Sequence, residues 1–244
     1  MKSASVNLVY SLVKDIANAN NRGYGSPSQF NQFAINAQQQ VFQELLASYE
    51  DQLVRRKRGA SHSKGAYNSI EQIQDMLRPL LRYDVALSLI SGSSFSFPSD
   101  YAYHLSSQAN GITAPPKAPE KANAGINSFL AAPKAEAPIC VLQSDRVTFY
   151  PTSISDATMT YYKYPQGTNA TTGAASTSNP TWAYNTVNSV AIYNAVNSID
   201  FELPKSLEYR LADKILMMLG INMRDQEVVG YAQFQEQMEV QRDS

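Results

Sequence analysis

The sequence predicts an α+β protein, in which helices at both ends of the chain accompany a strand-rich middle. Three observations support this class: apolar residues recur at helical spacing near the start, short segments typical of strands follow, and helical spacing returns after Pro204. We therefore expect an N-terminal helical part over residues 1–82, a β-sandwich-like part over 83–203 and a C-terminal helical hairpin over 204–244. The helical parts should pack together as one domain.

Three helices are predicted in the N-terminal part, and the second has the clearest start. Ser26 can cap it, Pro27 has no amide hydrogen to leave unbonded at the first position, and Gln29 can reach back as in a capping box. The third helix should end before Pro79, because proline disfavours helix at the residue that precedes it. The predicted helices cover residues 5–19, 26–53 and 69–78.

Short strands are predicted from residue 83 onwards, and two inserts interrupt them. The first insert, Ala109–Pro138, contains nine Ala and five Pro, and the second, Gly167–Pro180, is rich in Thr, Ser, Ala and Gly. A loop of about thirty residues in a compact domain is usually either disordered or functional. The predicted strands are 83–90, 101–107, 139–142, 146–150, 154–164 and 189–202.

The C-terminal part begins where Pro204 closes the last strand. Gly220 then supplies the left-handed conformation that ends a helix, and Asp225 can cap a second helix by accepting from its free amides. This pattern predicts a helical hairpin. The apolar face of its first helix consists of Leu207, Leu211, Ile215 and Met218.

Composition excludes several classes of protein. With 43% apolar and 17% charged residues the chain is typical of a folded globular protein, and no apolar stretch reaches the roughly 20 residues that span a bilayer. The start of the chain lacks the pattern of a secretory signal, so we expect a soluble protein made in a cytoplasm. The single cysteine, Cys140, lies in an apolar run and is predicted to be a buried hydrophobe. A net charge of -1 means that any contact with nucleic acid must be local.

Catalytic patterns are missing from the sequence, so we predict no enzyme activity, no cofactor and no metal site. The only histidines, His62 and His104, and the one cysteine do not provide metal-ligand spacing, and no nucleophile elbow or Gly-rich phosphate loop occurs. His104 and Asp100 could be drawn as part of a triad. A turn into a strand explains the segment better, with Asp100 accepting a local backbone hydrogen bond.

One cluster of positive charge is a candidate contact site for a partner. It consists of Arg55, Arg56, Lys57 and Arg58, with Lys64 beyond a flexible segment. Arginine pairs with phosphate or carboxylate in a two-pronged fashion, which favours a loop that touches DNA or an acidic protein. The alternative is a solvated helix end, where positive charge also favours the helix dipole.

Several short motifs are spread over most of the chain. They are Asn20–Pro27 with Gln29-Phe30-Asn31, Phe97–Ala102, Val147–Pro151, Tyr161–Pro165, Asp200–Pro204, Leu219–Asn222 and Arg224-Asp225. Together they resemble virion proteins of crAss-like and related short-tailed phages of Bacteroidetes bacteria, in particular the neck or ring proteins between portal and tail. Residues 109–138 depart from the resemblance, because Ala and Pro stand where strand-forming sequence is expected.

The resemblance implies a virion structural protein of the head-to-tail connector. Copies would form a homo-oligomeric ring, a dodecamer of about twelve copies, through head-to-tail contacts that close by rotation. Its partners would be the portal and adjacent ring or tail proteins, and packaged DNA would pass through the bore. The protein would be located in the neck or tail region of the virion, and in the host bacterial cytoplasm during assembly.

Two alternatives remain at this point: a tail-hub or other tail structural protein, and a non-specific nucleic-acid-binding protein that uses the basic cluster. In a ring, residues 109–138 would form an extended arm that becomes ordered on a neighbouring subunit, since Ala and Pro provide little for a core. The five basic residues would contact an acidic neighbour or DNA.

Overall fold

The computed structural model divides the chain into two compact units. One unit combines Met1–Met76 with Pro165–Ser244, and the other is Leu77–Tyr164. The boundaries predicted from the sequence, after residues 82 and 203, differ from these, because that prediction kept all the strands in one part. The residues that the structure describes are 2–19, 26–57, 64–129, 132–188 and 190–219.

The described residues contain five α-helices. They are α1 Val6–Ala19, α2 Pro27–Lys57, α3 Lys64–Leu77, α4 Pro119–Ile126 and α5 Glu208–Met218. The prediction of α1 is confirmed, and α2 continues a few residues beyond its predicted end. The predicted start of α3 at Ser69 is wrong, because the helix begins at Lys64 and continues through Ser69 without a break. The predicted second helix of the C-terminal hairpin, with Gly220 and Asp225, lies outside the described residues.

The start of α2 shows the predicted capping box. The amide of Ser26 donates to Gln29 Oε1 at 3.1 Å, and the amide of Gln29 donates to Ser26 Oγ at 3.3 Å. Two amides at the start of the helix thereby gain partners. At the other end of the helical part, a short 3₁₀ helix at Arg78–Leu80 follows α3 and contains Pro79, as the proline rule predicts.

The core of the first unit forms where α1 and α2 pack on α5. Each helix contributes one stripe of buried side chains at helical spacing, and the stripes exclude water over the length of the contact. The buried members include Val6, Val9 and Val13 of α1, Phe30, Ala34, Ala37, Val41 and Leu45 of α2, and Leu211 and Ile215 of α5.

Two four-stranded antiparallel sheets form the second unit. Their orders are β1-β8-β4-β5 and β2-β3-β7-β6. The buried cluster between them draws on both sheets, with Phe95, Val147 and Phe149 from one and Met159 and Tyr161 from the other. The strands are β1 Leu81–Ala86, β2 Ser88–Ser91, β3 Ser94–Ser96, β4 Tyr101–Ala109, β5 Ile112–Thr113, β6 Ile139–Leu142, β7 Arg146–Tyr150 and β8 Ala157–Lys163.

The remaining strands belong to the first unit and complete the predicted α+β class, which is confirmed. They form a three-stranded sheet, β10-β9-β13, and a separate hairpin of β11 with β12. Two of them lie in the second insert, which was predicted to be a loop. The strands are β9 Gly167–Asn169, β10 Ala175–Ser176, β11 Tyr184–Val187, β12 Val190–Tyr193 and β13 Ile199–Phe201.

The first insert, residues 109–138, is not the extended arm that its composition predicted. Strand β5 and helix α4 lie within it, and Ala109 and Ala114 belong to the buried cluster of the second unit. The amide of Cys140 donates to the carbonyl of Pro115, and the amide of Lys117 donates to the carbonyl of Cys140. Small side chains here allow close approach to β6, so an Ala-rich segment does contribute to a core.

Helix α4 offers a test of this placement, because its start lacks a side-chain cap. Ala118 occupies the N-cap with an extended backbone and makes no capping bond. Replacing it by Asp should raise the free energy of unfolding by about 1 kcal/mol, since a carboxylate there accepts from the free amides. Urea unfolding measures the change, and Ala118→Asn should give a similar gain without the charge. Two variants no more stable than the wild type would show that α4 does not start there.

Candidate assembly surface

The β11–β12 hairpin has two distinct faces. Its register pairs Tyr184 with Tyr193 and Val187 with Val190. Directly paired residues of an antiparallel ladder project to the same side, and successive residues alternate between sides. Tyr184 and Tyr193 therefore share one face, whereas Val187, Val190 and Ile192 share the other.

The tyrosine face anchors the hairpin to the helices of the first unit. The ring of Trp182 stacks on Tyr184 at 5.7 Å, on Tyr193 at 5.9 Å and on Tyr10 of α1 at 3.9 Å. Its indole Nε1 also donates to Oδ1 of Asn7 at 3.1 Å. Stacked aromatic rings and a satisfied indole hold the hairpin in one orientation.

The opposite face of the hairpin carries apolar side chains that point to solvent. Val187, Val190 and Ile192 are 50%, 62% and 50% exposed. A two-stranded hairpin is marginally stable by itself in water, and a cluster of exposed branched side chains often marks a contact with another molecule. This outward face is a candidate assembly surface.

The hairpin lies in a long stretch of the chain without charge. No Asp, Glu, Lys, Arg or His occurs between Lys163 and Asp200, nor between Asp84 and Asp100. Charged residues are depleted at the buried centre of protein interfaces, because their desolvation opposes binding. Sequence reasoning that used only the net charge missed this signal, whereas the positions of the charges along the chain would have found it.

The segment Asp200–Pro204, which carries part of the phage resemblance, fixes the start of α1. Oδ1 of Asp200 accepts from the amide of Val6 at 2.8 Å, and Oε1 of Glu208 accepts from the amide of Ser5 at 3.0 Å. The free amides at a helix N-terminus favour nearby negative charge. The two carboxylates, one from β13 and one from α5, thus hold α1 against them.

Gln38 and Glu202 extend this network to α2. The amide of Glu202 donates to Gln38 Oε1 at 3.0 Å, and Gln38 Nε2 donates to the carbonyl of Gln166 at 2.6 Å. The amide of Gln166 in turn donates to Glu202 Oε2 at 2.9 Å. These bonds connect Glu202, directly after β13, with α2 and with the segment before β9, so the motif positions elements in this chain.

The carboxyl of Asp200 gives this network a measurable pH dependence. Burial raises the pKa of Asp200, the Val6 amide lowers it, and the negative charge of Glu208 raises it. Because the folded pKa lies above the unfolded one, the stability contributed is present at low pH and is lost as pH rises through the folded pKa. Asn at this position cannot ionise. The free energy of unfolding of Asp200→Asn, minus that of the wild type, should therefore increase as pH rises from about 3 to 7.

The control for this prediction has the opposite sign. Arg146 holds the pKa of the exposed Asp145 below its usual range, so Asp145→Asn should lose stability relative to the wild type as pH rises, with a small amplitude. Urea unfolding at several pH values measures both differences. Equal slopes for the two variants would contradict the environment assigned to Asp200.

The structure does not bring Asp100 and His104 together as a triad. Oδ1 of Asp100 accepts from the hydroxyl of Tyr161 at 2.7 Å, and its Oδ2 lies 3.8 Å from Nε of Arg82. The prediction that the Asp100 side chain accepts a local backbone hydrogen bond is therefore wrong. The backbone amide of Tyr101 does close a turn there, as expected. His104 Nε2 lies 2.8 Å from Oγ of Ser107, and burial lowers the histidine pKa.

Cys140 is buried, as predicted. Its thiol lies 3.3 Å from the carbonyl oxygen of Ala114, to which it donates. Burial raises the pKa of the thiol to about 11, so the reactive thiolate is rare at neutral pH. The residue acts as a small apolar side chain in the core of the second unit.

The described residues include only part of the basic cluster. Arg55 is exposed near the end of α2, which closes with Arg56 and Lys57, and Lys64 opens α3. Arg58 and the side chains of Arg56, Lys57 and Lys64 lie outside the described residues. The end of a helix is where positive charge complements the dipole, and a contact with a partner stays a prediction.

Two further observations concern metals and membranes. Within the described ranges, no three His, Cys, Asp or Glu side chains are grouped so that they could hold a metal ion. The described helices also include none with the length and apolar character needed to cross a bilayer. Comparison with protein-family models and with curated proteins finds no match.

Proposed function

We propose that this chain is a virion structural protein, a ring or neck component of the head-to-tail connector between portal and tail in a crAss-like or related short-tailed phage. Its action is binding: about twelve copies close into a ring, the ring docks on the portal and on the next ring or tail protein, and DNA passes through the bore. The observation that carries the proposal is the outward apolar face of the β11–β12 hairpin, which lies in the stretch without charge between Lys163 and Asp200.

Leaving such an apolar face in water is unfavourable, so its burial against another molecule is favoured. Apolar surface removed from water contributes roughly 25 cal/mol per Å², and a segment without charge can be buried with little opposing desolvation of ions. The face also belongs to a hairpin that Trp182 holds in place. A surface that is already ordered loses less conformational freedom on binding, which favours a stable contact.

The motifs of the phage resemblance add a second line of support. Asp200 accepts from the amide of Val6 in α1, and the amide of Glu202 donates to Gln38 of α2. Strand β13, to which Asp200 belongs, follows the hairpin directly in the chain. This hydrogen-bond network holds the elements next to the hairpin in fixed positions. Fixed positions are what a subunit needs if its function is to bind neighbouring subunits.

The test is a measurement of assembly on the purified full chain. Mass photometry and negative-stain electron microscopy would follow the chain over a range of concentrations, alone and with the portal protein of the same virion. We expect a closed ring of about twelve copies that binds the portal. A chain that stays monomeric in both conditions would refute the proposal. Strong binding of duplex DNA by that monomer, with a steep loss in salt, would favour the nucleic-acid alternative.

The basic cluster provides a separate prediction within this proposal. If these residues serve a partner and not the fold, replacing Arg55, Arg56, Lys57, Arg58 and Lys64 by Gln should change the free energy of unfolding by less than about 1 kcal/mol, because charges in contact with solvent contribute little to folding. The same variant should bind the portal or duplex DNA more weakly, and wild-type binding should weaken as salt rises. Binding to each partner at two salt concentrations distinguishes a contact with protein from one with DNA.

The control variant replaces three exposed lysines of the second unit by Gln: Lys117, Lys121 and Lys134. It removes positive charge from the second unit and should leave both bindings nearly unchanged. If the two variants behave alike, the basic cluster is an ordinary solvated helix end.

A further inference from the structure

We infer that a groove on α2, beside the end of α5, is the docking site of the chain's own C-terminal segment, residues 220–244. The segment lies outside the described residues. This contact forms within a single chain, so it goes beyond the proposed ring and does not depend on it.

The groove is a cavity of about 410 Å³ that belongs to the first unit. The six described residues that line it are uncharged, and they comprise two apolar side chains and four exposed amides: Phe33, Met218, Asn36, Gln39, Gln40 and Gln43. Residues 23–43 of the sequence also contain no Asp, Glu, Lys, Arg or His. A ligand can therefore cover the groove without removing water from an ion in its lining.

The direction of α5 brings the C-terminal segment to this groove. Arg210 of α5 pairs with Glu44 of α2, whereas Met218, about two turns further along α5, lines the groove. As α5 advances, its contacts on α2 thus move towards the start of α2, so the two helices are antiparallel. The segment follows Leu219 and therefore begins at the rim of the groove.

The segment is also long enough to cover the groove. Residues 220–224 precede the cap predicted at Asp225, and a loop of about five residues is sufficient to join two antiparallel helices. A helix over 225–240 would then run back beside α2 for about 24 Å, at 1.5 Å per residue. The groove, from Phe33 to Gln43, extends over about 15 Å of α2.

The sequence of the segment has the pattern that such a groove binds. Helices that bind in grooves are anchored by apolar side chains three and four residues apart. The segment has four at this spacing, with an amide on the same helical face: Val228, Tyr231, Phe234 and Met238, with Gln235. Because the segment is tethered at the rim, its effective concentration at the groove exceeds that of the same segment on another copy. The occupant is therefore the segment of the same chain.

Hydrogen exchange on the full chain, diluted to monomers, provides the first test. Amides of residues 226–240 should exchange at least about tenfold more slowly than in a synthetic peptide of the same sequence. Gln40→Glu should remove this protection, because it places a charge in the contact and repels a segment with five acidic and two basic residues. Tyr231→Ser/Phe234→Ser should remove it from the other side of the contact.

Gln72→Glu is the matched control for Gln40→Glu. It makes the same substitution at an exposed position of α3, so it should leave the protection unchanged. The emission of Trp182 checks that the first unit stays folded in each variant. The inference is overturned if residues 226–240 of the wild type exchange as fast as the peptide, or if their protection survives Gln40→Glu.

Distances between spin labels distinguish the chain's own segment from that of another copy. The labels are attached in Gln32→Cys/Gln237→Cys, whereas Cys140 is buried and its pKa of about 11 makes it unreactive. Doubly labelled chains diluted in wild type should give one narrow distance distribution, and a mixture of the two singly labelled chains should give none. A defined distance in the mixture alone would mean that the segment docks on a neighbouring copy. Protection that appears only when portal is added would mean that a partner holds it, and either result overturns the inference.

The failures of the two proposals are distinguishable. A protected segment in chains that never form a ring refutes only the proposed function. Rings in which residues 226–240 exchange as fast as the free peptide refute only this contact.

Discussion

Replacing Gln38 by Ala should lower the free energy of unfolding by roughly 2–5 kcal/mol. The side chain is almost fully buried, and it accepts from the amide of Glu202 and donates to the carbonyl of Gln166. Alanine leaves both backbone groups without these partners in a site from which water is excluded. Each such group costs about 1–3 kcal/mol, more than an exposed hydrogen bond is worth. Fluorescence of Trp182, the single tryptophan, reports unfolding of the same unit in a urea titration.

Two neighbours on α2 serve as controls for Gln38. Gln39 and Gln40 are exposed, so replacing either by Ala should change stability by less than about 0.5 kcal/mol. The comparison holds the helix and the substitution constant and varies only burial. If Gln38→Ala behaves like Gln39→Ala, the network around Asp200–Pro204 does not stabilise the first unit as the geometry indicates.

Phe149→Ala should destabilise the second unit by about 3–5 kcal/mol. The ring is fully buried between the two sheets and meets Phe95 edge-to-face, with centroids 5.6 Å apart. Truncation removes this contact and leaves a cavity that strands on both sides are too constrained to fill. Because Trp182 lies in the other unit, far-UV circular dichroism and hydrogen exchange at Val147 and Met159 are suitable measurements.

Phe129→Ala is the control for Phe149→Ala, because it makes the same substitution at an exposed position. Its side chain is fully exposed, so Phe129→Ala removes no core contact and should leave the free energy of unfolding nearly unchanged. A similar loss in both variants would mean that Phe149 does not lie in a close-packed core.

Local signals predicted the helices well. The capping box of Ser26 and Gln29 involves residues three apart, and the effect of Pro79 acts on its immediate predecessor, so both can be recognised in a short window. The start of α3 was misplaced because Ser69 also matches a cap, yet the helix passes through it. A capping pattern allows a start without requiring one.

Non-local contacts explain the larger errors. The segment with Ala109 and Ala114 was predicted to contribute little to a core. Both alanines are in fact buried, because side chains of β6 and of the opposite sheet pack around them. The division of the chain likewise depends on residues near both ends: the amide of Ala4 donates to the carbonyl of Leu203, and the amide of Phe201 to that of Ala4. No pattern within a short window contains such pairs.

Part of the candidate assembly surface could be predicted from the sequence. The stretch without charge between Lys163 and Asp200 is visible in the sequence, and so is the basic cluster. The direction of Val190 and Ile192 is not, because a strand of this composition fits a core equally well. Only the position of Trp182 under the opposite face shows that these side chains point outward.

The first unit joins Met1–Met76 to Pro165–Ser244, and this sets the order in which the two units can fold during synthesis on the ribosome. The second unit, Leu77–Tyr164, is continuous, so its sheets can pair while later residues are still being added. The hydrogen bond from the amide of Ser5 to Glu208 cannot form until Glu208 has been synthesised, 203 residues later. The hairpin at 184–193 belongs to the first unit and is synthesised after the second unit, so the stacking of Trp182 on Tyr10 follows the pairing of the second unit's sheets.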